Sequence, residues 1–294
     1  MTDAVRVTSE SEIHDLGYRR YEGARIGAWG AWRALFRQGF RAMFGLGRTA
    51  KAKVIPAFVF VTTMLPMLGQ VSAASMSQGV LKIRVAGFIG PMVVMFTLWV
   101  AAQAPEVLSR DQQHRVLPLI LTRDVTRTAY ATARLASIVA ALFLLALAPL
   151  LLYYIGEIGI ATDPAAQFAL TGKKIFPVLA QAALTAIALG GVGAALASWT
   201  PRRAYATAAI LGTFMVATAI GANLDEIAGV SPRFGELLSP PFALETQGML
   251  FFGERNRRMD RSPPLPIAGY AMFHLAVGAV GAALLGLRIW RVRP

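Results

Sequence analysis

Six long runs along the chain are almost without charge. Residues 54–74, 85–104, 135–155, 175–198, 204–222 and 266–287 contain no Asp, Glu, Lys or Arg, and five of the six contain no His. Each is 19 residues or longer, and at about 1.5 Å of rise per residue such a helix crosses the roughly 30 Å hydrocarbon core of a bilayer. Six runs of this kind cannot all be core helices of a soluble domain. The pattern predicts an all-α polytopic membrane protein with six spans, whose charges mark the loops. The pieces between the spans, of which 1–53 and 223–265 are the longest, are too short for a comfortable independent core. One membrane domain, 54–294, preceded by an N-terminal segment, 1–53, is therefore expected.

A different pattern occupies residues 27–47. Trp29, Trp32, Phe36, Phe40 and Met43 recur at helical spacing, and Arg33, Arg37 and Arg41 follow every fourth residue along the flank. An aromatic face with a basic edge predicts a helix lying in the inner membrane interface; the other reading is a short helix packed on protein. Between spans five and six, 234–253 is apolar but broken by Pro240-Pro241, with Phe242 following. It is too short and interrupted to cross twice. Small residues four apart, such as Gly190/Ala194 and Gly278/Ala282, permit close helix approach.

Composition agrees with a membrane class: 55% of residues are hydrophobic, 15% are charged, and mean hydropathy is +0.53. The formal net charge of +13 reads topologically here, not as nucleic-acid affinity. Alternate segments carry 20 and 9 of the 29 Lys and Arg, and the richer side belongs in the cytoplasm. Both termini then face inward, in a bacterial plasma membrane as the Arg-, Ala- and Gly-rich composition suggests. With no cysteine, disulfides, thiolate metal sites and Cys nucleophiles are excluded.

Catalytic chemistry has little to stand on. The nearest approach to a phosphate-binding loop is Gly172-Lys173-Lys174, with Gln167 where a first glycine belongs and Lys174 where Ser or Thr belongs. The expectation is that the chain is no enzyme and holds no cofactor or metal of its own. His14, His114 and His274 are scattered and lack zinc-site spacing. The spans read as nearly bare of the intramembrane charges that ion-coupled carriers use, His274 being the one candidate. Driving energy is then expected from a separate ATPase.

The polar stretch 105–134, PEVLSRDQQHRVLPLILTRDVTRTAYATAR, predicts a short polar helix, a bend at Pro118 and a second helix entering span three; the bland reading is a solvated loop. Its pattern of Glu106, Arg110, Asp111, Leu117, Pro118, Leu119, Leu121, Arg123, Arg127, Tyr130 and Arg134 resembles the type-2 ABC (ABC-2) transporter permease subunits. The N-terminal D-L-G-Y-R-R-Y-E-G of 15–23 and G-L-G-R-T-A-K-A-K of 45–53 are similar to actinobacterial members. The resemblance implies the ABC-2 (type V exporter-like) architecture: six spans, an N-terminal amphipathic connecting helix and short outer-leaflet helices between spans five and six. It implies two partner ATP-binding subunits carrying ATP and Mg, and a second permease copy or paralogue. It further implies a coupling helix at Glu106, Arg110, Asp111, Arg115, Leu117 and Pro118 docked on the ATPase. A path lined by uncharged side chains suits a hydrophobic or amphipathic substrate, such as a drug, antibiotic, lipid or peptide. The alternative is a membrane anchor, assembly factor or sensor that uses the same scaffold without transport.

Overall fold

In a computed structural model of the chain, the described residues are 27–77, 80–114, 116–121, 125–228, 232–256, 259–260 and 264–291. The described chain is all helix, with no strand. In order the helices are α1 (Ala28–Met43), α2 (Lys51–Met76), α3 (Ala86–Val107), α4 (Ser109–Gln113), α5 (Val116–Leu121) and α6 (Arg127–Gly159). Then come α7 (Pro164–Thr171), α8 (Ile175–Trp199), α9 (Arg203–Ala228), α10 (Pro232–Leu238), α11 (Pro240–Phe252) and α12 (Ile267–Trp290). Helices α2, α3, α6, α8, α9 and α12 are each long and apolar enough to cross a membrane. They cover the six expected runs, save Val85 and Pro266, which sit just before α3 and α12. This is a multi-pass membrane protein.

The spans alternate in direction. One end of the bundle, here the basic end, gathers the starts of α2, α6 and α9 with the finishes of α3, α8 and α12. The far end carries α7, α10 and α11. Helix α3 is the axis: 67% of its most apolar stretch is buried, against 17% for α9 and 22% for α2. Phe58, Phe60 and Leu65 of α2 and Met215 and Val216 of α9 point outward. Apolar surface of that extent is untenable in water and suits lipid.

Helix ends are set locally. Thr126 caps α6 by accepting from the Ala129 N–H at 3.1 Å. Asp163 caps α7, accepting from the Ala165 and Ala166 N–H groups at 3.0 Å, with Pro164 at the first helical position. Helix α3 begins beneath a carboxylate from elsewhere: Glu254 Oε1 accepts from the Val85 N–H at 2.9 Å, where the helix dipole favours an anion. Gly45 and Gly47 adopt φ of +67° and +80°, and these left-handed turns swing the chain from α1 into α2.

A very close contact joins α8 and α12, where Gly191 faces Gly278 and Gly281 backbone to backbone. A Cβ built on Gly191 would lie 2.9 Å from the Gly278 Cα, and one on Gly281 would collide with the Gly191 backbone. The neighbouring Gly190 faces Val139 of α6 instead. Small residues thus serve two helices from adjacent positions. The fourfold spacing read from Gly190/Ala194 identified the region; the α12 partner is Gly191.

Helix α1 packs along α6 near its start. Trp32 Nε1 donates to Thr132 Oγ1 at 3.1 Å. Met43 is fully buried, while Arg33, Arg37 and Arg41 are exposed. The expected stripe exists as a stack of rings. Trp29, Trp32, Phe36, Phe40 and Phe44 follow one another at centroid spacings of 5.0, 5.4, 5.9 and 5.3 Å, and Phe44 meets Trp99 of α3 at 5.6 Å. The helix is amphipathic, and one side of it lies on protein, as the second sequence reading has it. Between α9 and α12 the chain forms α10 and α11, with Pro240 half-buried at the start of α11, Pro241 buried and Phe242 half-buried. Helix α11 lies against α3, α8 and α12.

Candidate functional site

The stretch after span two is built as an elbow. Helix α3 runs to Val107, turns at Leu108, and continues as α4 and α5 before α6 begins. Helix α4 is fastened to the end of α8, whose last carbonyls lack helical partners. Ser109 Oγ donates to the Ala197 carbonyl at 2.8 Å and Gln112 Nε2 to the Ser198 carbonyl at 2.6 Å. Arg288 of α12 reaches the same Ser198 carbonyl at 3.2 Å. A polar segment becomes the cap of an apolar helix.

Two largely enclosed carboxylates lock the elbow to its surroundings. Glu106, with only 6% of its side chain exposed, pairs with Arg48 at 2.9 Å, with Arg110 at 3.7 Å and with Arg203. The three cations come from the α1–α2 connection, α4 and the start of α9. Asp111 accepts from Arg134 at 2.6 Å and from the Tyr130 hydroxyl at 2.8 Å, both on α6. Arg134 also donates to Gln38 of α1 at 2.6 Å, lies over the Tyr130 ring, and is 2% exposed. One guanidinium thus joins α1, α4 and α6.

The residues singled out from sequence therefore divide by direction. Glu106, Asp111 and Leu117 turn inward. Arg110 is more than half exposed, and Pro118 is half-buried. Arg115, Arg123 and the 15–23 motif lie outside the described residues. The expected short polar helix is present as α4, and the expected helical entry into span three over 126–134 is present as the first turns of α6. Helix α6 starts at Arg127, and Arg134 is buried because Asp111 and Gln38 satisfy its charge and its N–H groups. Arg37, Arg41, Arg48, Arg110 and His114, with both carboxylates, line an open cleft of about 830 Å³ between α1 and α4.

At the other end, the interior is less bare than the charge count suggested. Gln181 of α8, Gln247 of α11 and His274 of α12 are all buried and joined in a row. Gln181 Nε2 donates to the Leu244 carbonyl at 3.0 Å, Gln247 Nε2 to Gln181 Oε1 at 2.9 Å, and His274 Nδ1 lies 2.7 Å from Gln247 Oε1. A glutamine inside an apolar run was the available signal, since an amide in hydrocarbon needs partners as much as a charge does. Beside this row, between α9 and α12, lies an apolar cavity of about 190 Å³, walled by residues that include Thr97, Phe214, Ala217, Leu244, Phe273 and His274.

Set against models of known protein families and against characterised proteins, the chain matches none.

Proposed function

We propose that this chain is the membrane-spanning subunit of an ATP-driven exporter of the ABC-2 kind. It moves a hydrophobic or amphipathic substrate by alternating access, with hydrolysis supplied by separate ATP-binding subunits. In this reading a second permease copy or a paralogue completes the path, and the basic end with both termini faces the cytoplasm. The observation that carries the proposal is the locked elbow. A push on α4 reaches α1 through Arg134 and Gln38, α6 through Asp111, α8 through Ser109 and Gln112, and α9 through Glu106 and Arg203. An ordinary loop has no need of two largely enclosed carboxylates holding four guanidinium groups.

In this reading the partner meets what the elbow leaves outside: Arg110, His114 and Leu119. The test is co-expression with the ATP-binding subunit encoded beside it, purification through this chain, and measurement of ATP turnover in proteoliposomes with and without a lipophile. Stable co-purification and stimulated turnover are expected, with Arg110→Glu weakening both while the membrane subunit still folds. A folded membrane subunit that captures no ATPase sinks the transport reading and favours an anchor or sensor.

A further inference from the structure

We propose that the basic cleft between α1 and α4 binds the phosphate of an anionic glycerophospholipid, drawn from the leaflet at that end of the bundle, with Arg37 and Arg41 as its ligands. The proposal concerns lipid binding alone and goes beyond the transport reading without resting on it.

The call for an anion follows from the charges. Residues 27–53 carry six Lys and Arg and no Asp or Glu. Arg37, Arg41, Arg48 and Arg110 line the cleft, and its carboxylates are Glu106 and Asp111. Both are already engaged. Asp111 holds the buried Arg134, and Glu106 is divided among Arg48, Arg110 and Arg203. Six guanidinium groups thus stand against two carboxylates, an excess of four positive charges. Arg37 and Arg41 are exposed and meet no acceptor among the described residues. They stand four residues apart on α1, where side chains are neighbours and like charges oppose each other. Arg41 nevertheless leans over the turn that leads to Arg48, for a Cβ built on Gly47 would lie 4.0 Å from its Nη2. Guanidinium forks gathered with no acid to receive them suit a phosphate, whose oxygens accept two parallel N–H groups from each.

Depth selects a lipid as the source. Gly39, between the two arginines in sequence, rests on Ser137 of α6, which a Cβ there would strike. The charge-free run of span three begins at Leu135, and that of span two ends at Ala104, two residues before Glu106. The cleft therefore lies at the edge of the hydrocarbon, where a headgroup layer about 5–7 Å thick begins. The same helix offers Trp29, exposed, and Phe36 and Phe40, half-buried, on the side adjoining the arginines. Rings among acyl chains and arginines among phosphates are the division of labour of an interfacial helix. The excess of positive charge repels the ammonium of choline and ethanolamine heads and favours a head of net negative charge, such as phosphatidylglycerol. The open cleft, about 830 Å³, has room for one such head.

The probe is radiolabelled dioleoyl phosphatidylglycerol, added to the full chain in lipid-free dodecyl maltoside micelles at fixed ionic strength, with empty micelles as the partition control. Saturable binding is expected, displaced about tenfold less effectively by unlabelled dioleoyl phosphatidylcholine. A basic side chain facing an anionic headgroup is worth about fivefold in affinity, so Arg37→Gln and Arg41→Gln together should weaken binding by about 30-fold. Thermal stability without lipid should be unchanged, since neither side chain has a partner to lose. Arg33→Gln, one turn earlier on the same helix and outside the cleft lining, should stay within about twofold of the native affinity. Equal displacement by the two lipids, or an equal loss from Arg33→Gln and from the pair, overturns the proposal. Inorganic phosphate and glycerol 3-phosphate carry the same chemistry without acyl chains and should compete poorly. Displacement by either at the concentration of unlabelled phosphatidylglycerol marks a soluble phosphate as the ligand and overturns the lipid source. Absent lipid preference with lost ATPase co-purification in the paired variant assigns the cleft to a protein partner instead. Because the binding assay contains no ATPase, its failure leaves the transport reading untouched.

Discussion

Replacing Asp111 by alanine removes the acceptor shared by Arg134 and Tyr130. Arg134 then remains 2% exposed, with Gln38 as its remaining side-chain acceptor, and its Nε is already without one. Removing one partner of a buried ion pair typically costs about 3–5 kcal/mol, because the other charge stays behind uncompensated. Asp111 retains 14% exposure, so some water reaches the site, and about 3 kcal/mol is expected. Tyr130→Phe removes a neutral donor to the same carboxylate and leaves the ion pair intact; about 1.5 kcal/mol is expected. The double variant should cost little more than Asp111→Ala alone, since the tyrosine's acceptor has already gone. The assay is reversible unfolding in mild detergent or bicelles, followed by helix content and repeated on all three variants. An Asp111→Ala protein within 0.5 kcal/mol (about a factor of two) of the native chain refutes the lock. Loss of ATPase association by Asp111→Ala therefore says little about contact unless stability is measured beside it. Arg110→Glu is the cleaner probe of the proposed docking face, because that side chain is 55% exposed.

Two further predictions follow from the packing and the charge pattern. Gly281→Ala must part α8 from α12, because its methyl group meets backbone of Gly191 that cannot rotate away; a loss of about 1–3 kcal/mol is expected, while Gly212→Ala, open to its surroundings, should be neutral, and comparable thermal shifts for the two would contradict the close crossing. Single cysteines can be placed in this cysteine-free chain at Val80, which is 82% exposed at the far end, and at His114 beside the elbow; an impermeant maleimide added to intact cells should label the first and not the second, and the opposite pattern reverses the proposed orientation.

The spans were legible because their cause is one-dimensional. A helix in hydrocarbon needs about 20 residues without charge, and that is visible in any window of the sequence. The ends were not legible in the same way. The charge-free run of span three begins at Leu135, and α6 starts at Arg127, within the helical entry expected over 126–134, but the fate of the charge inside that entry was hidden. Whether Arg134 can be buried depends on Asp111, 23 residues away, and on Gln38, 96 away. Such pairings leave no periodic trace. Glu106, Arg110 and Asp111 drew attention as loop charges, but two of the three turn inward for the same reason. Gln181 and Gln247 carry no formal charge, so a pattern of charged positions does not mark them. By contrast α7 had a readable start, Asp163-Pro164, in which a capping acid precedes a proline.

The ring stack on α1 has an optical consequence. Trp29 and Trp32 lie 5.0 Å apart with planes 10° from parallel, close enough for their transition dipoles to couple and split the indole bands into a circular-dichroism couplet. At the other end of the stack, Phe44 leans on Trp99, which is wholly buried in the central helix. Paired indoles on the rim and a lone one in the interior therefore give distinct signals from one short helix. If α1 lifts from α6 while keeping its own helical form, the couplet persists and the Trp99 band shifts. If α1 unravels, the couplet collapses. The protein carries its own spectroscopic gauge of how that helix is seated.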